Sequence, residues 1–497
     1  MARTFALVGI EAEPIHVEVH VANGLPSFAI VGLPDTAVRE SRERVRSALV
    51  NSGFEFPQRR ITANLAPADL PKAGPAFDLA IAAALLVATN QLANGVLERH
   101  ALAGELALDG SIRPVSGALA MGEGARDLGL RGIAIAGDSA REAALVEGVE
   151  VRPLEHISRL SALADGVIPP LERESEPDPA TAGEDGADLS ELKGQPGLRR
   201  ALEVAAAGGH SLLLVGPPGG GKTLAARRLP SLLPPLGREE LLEVIRIAGA
   251  CADGSINGKG HPRPFRSPHH TASARALIGG GAPPRPGEVT RAHRGVLFLD
   301  ELGEFRRDAL EALRQPLEEG SVSLARAGRS VTLPCSFQLV AASNPCPCGQ
   351  GPESGECDCP PSVVARYQAK LSGALADRID LFLNIGRPNA EALAEGPGES
   401  SAAVRERVEA ARRLQEERLR PGRCNAQMTP MEVRRFARLS PEVAGKLASG
   451  HEVLGLSGRG WDRVVRVART LADLAGSEAI TSEHIDQALQ FRRRSDR

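Results

Sequence analysis

Ser211-Leu-Leu-Leu-Val215, followed directly by Gly216-Pro217-Pro218-Gly219-Gly220-Gly221-Lys222-Thr223, is the stretch on which the fold depends. An apolar run enters a loop of the form G-x-x-x-x-G-K-[ST], and the helical text LAARRL follows at once. Each part has a chemical reason. The glycines let backbone N–H groups turn toward phosphate oxygens, and the helix N-terminus adds positive dipole. Lys222 reaches the terminal phosphates, and the Thr223 hydroxyl ligates magnesium. A Gly-rich turn alone would need neither the strand, nor the Lys, nor the Thr. All eight residues from Gly216 to Thr223 are therefore expected to line a nucleoside triphosphate and its Mg2+.

Two more apolar runs end in polar groups suited to the same chemistry. Val296 to Leu299 ends in Asp300-Glu301, where Asp300 would hold magnesium and Glu301 would orient or deprotonate the attacking water. Phe337 to Ala342 ends in Ser343-Asn344, whose amide would align that water against the terminal phosphate. Strand runs with their functional residues at one end predict an α/β core built on a parallel sheet.

The chain has 497 residues, about three domains' worth. Its 59 Lys and Arg against 62 Asp and Glu leave a net charge of -3, which favours no class of partner by itself. Aromatics make up 3%, too few for a base-stacking platform of the single-strand-binding kind. No apolar run is long enough to span a membrane, and the opening MARTFALVGIEAEP has no export signal, so a cytoplasmic protein is expected. Residues 1–168 alternate strand-like and helical runs and read as one mixed domain. Residues 169–188 hold seven acids and four Pro, the composition of a solvated linker. The nucleotide core then spans 189–387, a hinge 388–400, and a helical domain 401–497.

The texts FRSPHHTASARALIGGG, HRGVLFLDELGEF, ALRQPLEEGSVSLARAG and ALADRIDLFL resemble the magnesium-chelatase-like YifB/ComM family of AAA+ ATPases over essentially the whole chain. The resemblance implies an N-terminal Lon-protease-like α+β domain, an AAA+ P-loop core using ATP and Mg2+, and a C-terminal α-helical lid. It further implies a homo-oligomeric ring, a hexamer by family likeness. Residue by residue, Asn344 matches sensor 1, and Arg378 matches the arginine finger that reaches a neighbouring subunit's ATP. Arg459 matches sensor 2, with Arg463 its near rival. A guanidinium suits both roles, because it stays charged and forks onto phosphate oxygens.

Leu70-Pro-Lys72-Ala-Gly-Pro-Ala76 resembles the Lon nucleophile segment with Ala76 in place of the Ser, and Leu119 falls where the base Lys would be. Peptide hydrolysis by a Ser-Lys dyad is therefore not expected. A scaffold for ring assembly or for nucleic-acid contact is.

Two basic elements bear on the substrate. Lys259 to Arg275 carries Lys259, Arg263, Arg266, Arg275 and three His without an acid, which suits a phosphate backbone or a solvated insertion equally. Val322 to Leu333 reads as a β-hairpin with Arg326 and Arg329 at its tip, resembling the hairpin that touches DNA in helicase relatives. Residues 401–497 add 19 Lys and Arg against 13 acids. After Asn344, Cys346, Cys348, Cys357 and Cys359 offer four thiolates for a tetrahedral structural Zn2+, with a redox-responsive thiol group as the alternative. The reading is an ATP-driven ring motor on branched or single-stranded DNA, a helicase or branch-migration translocase with recombination or uptake proteins as partners. The alternative is a chelatase-type or protein-remodelling ATPase acting on a partner protein.

Overall fold

The computed structural model describes residues 1–93, 95–172, 188–251, 253, 262–281, 284–326, 329–352, 355–371, 375, 378–394 and 396–492. The acidic stretch expected as a linker lies largely outside the described residues, as do Lys259 and the very tip of the hairpin.

The core sheet has five parallel strands, ordered Phe265–Arg266, Val296–Leu299, Gln338–Ser343, Leu212–Val215, Leu381–Asn384. Its apolar runs are continuous because both faces are covered. Side chains alternate between faces at period two. Leu212, Leu214, Phe298 and Val340 join a cluster with Leu202, Leu229, Val404 and Leu471, while Leu213, Leu297, Leu299 and Leu339 join Val289, Leu302 and Leu313 on the other side. The C-terminal helices Ser401–Arg418 and Gly458–Leu474 close the first face, and side-chain N-caps at Ser400 and Ser457 set where they start. Between the sheet and the C-terminal helices, residues 388–400 contain the short helix Ala390–Ala394 and are tied back by Gly398 N–H to Ser190 O at 3.0 Å.

The N-terminal domain forms a mixed seven-stranded sheet, ordered Ser27–Val31, Arg60–Ala66, Glu11–Ala22, Ala2–Val8, His100–Ala103, Gly132–Ala136, Glu150–Leu154. Asp35 caps the helix Thr36–Asn51 through Val38 N–H at 2.8 Å. Buried Asp78 receives Arg44 Nε at 2.6 Å and Leu106 N–H at 3.2 Å, so burial and the guanidinium pull its carboxyl in opposite directions and burial prevails, raising its pKa.

Among the described residues, helix Arg238–Cys251 and the turn at Ile10 join this domain to the core. Helix Arg238–Cys251 lays Ile245 into the cluster of Phe5, Leu119 and Met121 and ties Arg246 to both oxygens of Glu123, at 2.9 and 2.6 Å. The exposed pair Arg238–Glu147 contributes under about 1 kcal/mol, whereas burying an Ile is worth about 2 kcal/mol, so apolar packing dominates this joint. Ile10, in the turn after the first strand, is buried with Leu324 and Leu333 of the hairpin strands Ser321–Arg326 and Arg329–Pro334.

The same helix is pinned to the core sheet by Glu243, which lies 3.0 Å from His293 Nε2 and 2.7 Å from Arg294 Nε. Ser336 N–H donates to His293 Nδ1, leaving Nε2 as the donor to Glu243. Those two donors hold the carboxyl at about 2, against an ordinary 4.5. A depressed carboxylate stabilises the fold above its ordinary pKa and loses that contribution as the pH falls through the folded value. Thermal melts from pH 5 to pH 2 should therefore show an acid-labile component between about 4.5 and about 2 that Glu243→Gln removes; an unchanged acid profile in the variant would contradict the assignment.

Candidate functional site

At the C-terminal edge of the core sheet the loop after Leu212–Val215 turns with Gly219 and Gly221 at φ of +81° and +82°, a region that side chains disfavour. Gly216 passes so close to Ile385 O that a Cβ would sit 2.3 Å from it. The helix Lys222–Leu232 starts immediately after. Lys222 Nζ donates to Gly216 O at 2.5 Å, Pro217 O at 2.9 Å and Asn344 Oδ1 at 3.1 Å. Burial pushes its pKa down while Asp300 pulls it back up. Thr223 Oγ1 donates to Asp300 Oδ2 at 2.9 Å, and Asp300 Oδ1 accepts Glu301 N–H at 2.9 Å. The fold thus brings Lys222, Thr223, Asp300 and Asn344 into direct contact from three adjacent strand ends. Thr223 and Asp300 offer the hard oxygens that magnesium prefers.

Glu301 sits at φ +53°, a left-handed conformation that a non-glycine residue adopts at a cost of order 1–3 kcal/mol. Its carboxylate meets His270, whose Nδ1 lies 3.0 Å from Glu301 Oε2. The His269 ring lies over that of His270, centroids 4.1 Å apart. In the sequence His270 is only one of three histidines in a basic segment; the structure gives it the Glu301 carboxylate as a partner. Arg387 was not singled out at all. Its guanidinium donates to Pro218 O at 3.2 Å and to Gln350 Oε1 at 3.1 Å, and it borders a cavity of about 550 Å³ lined also by Gly194, Gln195 and Asn389.

Arg378 and Arg459 lie elsewhere. Arg378 precedes Leu381–Asn384, which runs parallel to the loop-bearing strand with Leu212 opposite Leu381, so it stands at the N-terminal edge of the sheet. A four-residue strand separates the two edges by about 13 Å. Both arginines line one cleft of about 840 Å³ with Arg463, Arg466 and Glu318. Arg378 pairs with Glu318, and Arg463 Nε reaches the buried Asp380 at 3.4 Å, while Arg459 is exposed. Asp380 also meets His210 at 3.3 Å, and His210 continues through Thr470 to Asn425 and Asp473 in the helical domain. Within one chain neither Arg378 nor Arg459 reaches Lys222.

Among the described residues of the basic segment, two of the three arginines are paired within the chain. Arg263 is spent on Pro234 O, Arg294 O and Glu240, and Arg266 on both oxygens of Glu288. Composition could not register these partners, which come from other elements. Arg275 is exposed and lines a small cavity with Ser323 and Ala325 of the hairpin. The hairpin itself forms as expected, its backbone pairing Arg326 with Arg329 at the last step before the tip.

Cys346, Cys348, Cys357 and Cys359 come together, every sulfur within 4.8 Å of the others. The Gln350 backbone N–H and the Cys346 thiol donate to Cys348 and bring its pKa down to about 6.

Three family models together match most of the chain. Residues 188–393 match magnesium chelatase, subunit ChlI; residues 17–139 match subunit ChlI of Mg-chelatase; residues 398–492 match the magnesium chelatase subunit ChlI C-terminal model. YifB of Escherichia coli is 46% identical over 494 residues, 99% of this chain and 96% of that protein. The chain belongs to the YifB/ComM magnesium-chelatase-like family. YifB of Salmonella typhimurium is 44% identical over 99% of this chain and 96% of its own length, and competence protein ComM of Haemophilus influenzae is 41% identical over 98% and 96%.

His270 offers a test of the site. Replacing it with Ala should lower ATP turnover about tenfold, the usual cost of losing an orienting partner, with little change in KM. Steady-state kinetics that move KM and leave kcat alone would show that His270 does not act through Glu301.

Proposed function

We propose that this chain is a Mg2+-dependent ATPase of the AAA+ type that works as a ring-forming motor on DNA, with migration of branched DNA as its output. The observation that carries the reading is the division of the hydrolytic residues between the two edges of one parallel sheet. Lys222, Thr223, Asp300, Glu301 and Asn344 would bind and hydrolyse ATP at one edge. Arg378 and Arg459, at the other, would complete the site of the next subunit in a head-to-tail ring, a hexamer by family likeness. Bound magnesium would supply charge neutralisation at the phosphates. Asn344 would hold Lys222, His270 would aim Glu301 at the attacking water, and the cavity beside Gln195 and Arg387 would take the base.

DNA as the substrate is supported by the paired Arg326 and Arg329 at the hairpin, by exposed Arg275 beside it, and by the name of ComM as a competence protein. Such work would be done in the cytoplasm with recombination or uptake proteins; among the described residues no helix is long and apolar enough to cross a membrane. The N-terminal domain, read as Lon-like, has Ala76 and buried Leu119 where a dyad would need Ser and Lys. Its contacts with helix Arg238–Cys251 and with the hairpin favour a scaffold role. The rival reading, a motor acting on a partner protein, has the magnesium chelatase family models in its favour.

The test is ATP turnover and junction resolution on a synthetic four-way DNA, compared with linear duplex and with no DNA at one fixed salt concentration. Junction-stimulated turnover and ATP-dependent resolution are expected, both lost in Glu301→Gln. Arg326→Ala should keep basal turnover and lose most of the DNA stimulation. Turnover indifferent to every DNA would shift the assignment to a protein substrate.

A further inference from the structure

The nucleotide chemistry does not use the four cysteines, yet they sit against its loop. Cys346 and Cys348 follow Asn344 directly, and Cys357 and Cys359 lead into the helix Pro361–Leu371. Cys346 is fully buried. The Sγ separations are 3.2 Å for Cys346 and Cys348 and 3.6 Å from Cys357 to each of them. A tetrahedron of thiolates around zinc, with Zn–S near 2.3 Å, has S···S edges of about 3.8 Å. A disulfide would need about 2.05 Å, and all four are free thiols. Thiols are weak hydrogen-bonding groups, so four of them gain little from one another at this range. Gly351 N–H points at Cys346 Sγ, 3.3 Å away, the kind of backbone donor that steadies a metal-bound thiolate.

The turn between the two arms is laid on the phosphate-binding loop. Gly349, at φ +87°, lies flat against Pro218: a Cβ there would come within 3.1 Å of the proline ring. Arg387 bridges Gln350 Oε1 and Pro218 O, and Asn344, two residues before Cys346, accepts from Lys222. On the other arm, Tyr367 of the following helix meets Ser343 at 3.4 Å.

We infer that Cys346, Cys348, Cys357 and Cys359 bind one soft divalent cation of tetrahedral preference, Zn2+ by its chemistry, and that this ion clamps the Gly349-Gln350 turn onto Pro218 and so sets the shape of the nucleotide loop. Four sulfurs with no oxygen or imidazole ligand exclude Mg2+ and Ca2+ from this position. Each Cys-x-Cys arm supplies two ligands, so the ion joins the end of the Asn344 strand to the start of the Tyr367 helix. The functional weight of the clamp rests on reading Gly216 to Thr223 as the ATP loop.

The experiment uses the full chain purified without chelator. Metal analysis should give about one zinc per chain, and Cys357→Ser/Cys359→Ser should lose it. Hydrogen exchange at the amides of residues 219–223 should then speed up at least about tenfold, and a non-hydrolysable ATP analogue should bind about tenfold more weakly. Stripping zinc from the wild-type chain with a chelator and restoring it should reproduce and reverse both changes, which separates metal loss from misfolding of the variant. Wild-type protein without zinc, or zinc loss that leaves exchange at 219–223 unchanged, would overturn the inference. Zinc-bound chain with a protected loop and no affinity for the analogue would uphold the clamp and instead contradict the ATP reading.

Discussion

The common direction of the five core strands is the constraint from which the rest follows. A parallel sheet has two unlike edges, and covering both faces forces every loop to one edge or the other. Val215, Leu299 and Ser343 end adjacent parallel strands at one edge, so the residues just beyond them gather there: the Gly-rich loop, the Asp300-Glu301 pair and Asn344. Ser211, Phe337 and Asp380 precede those or neighbouring strands, so they and Arg378 gather at the other. No side-chain length bridges the two, and a hydrolytic site that needs residues from both edges needs two chains.

The packing around the sheet connects these edges to the rest of the molecule. The polar path from Asp380 through His210 and Thr470 to Asn425 and Asp473 is buried and bonded along its length, so a shift of the C-terminal helices would be felt beside Arg378. On the other face Ile245 and Ile10 fasten the N-terminal domain to the core and to the base of the hairpin.

What could be read from the sequence was chemistry carried by contiguous residues. The loop from Gly216 to Thr223, the Asp300-Glu301 pair after its apolar strand, the hairpin and the cysteine cluster each declare themselves within a dozen or so residues, because local spacing sets their geometry. His270, Arg387 and His210 could not be read this way; each acquires its partner from an element far along the chain. Composition left Arg263 and Arg266 equally suited to a phosphate backbone or to a solvated insertion for the same reason, since it counts charges without the carboxylates that meet them. The place of Arg378 was legible in principle, because a residue before a parallel strand lies opposite one after it. Arg459 was not, as only the packing of Gly458–Leu474 puts it on the same cleft.

The most direct measurement is ATP turnover in mixtures of two inactive chains, Glu301→Gln and Arg378→Ala. A site shared between neighbours predicts that neither chain alone turns over ATP, and that an equimolar mixture recovers about a quarter of wild-type activity. In random head-to-tail assembly that is the fraction of interfaces pairing an intact Glu301 with an intact Arg378. A mixture as inactive as its two components, or an Arg378→Ala chain that hydrolyses ATP normally, would contradict a site divided between the two edges of the sheet.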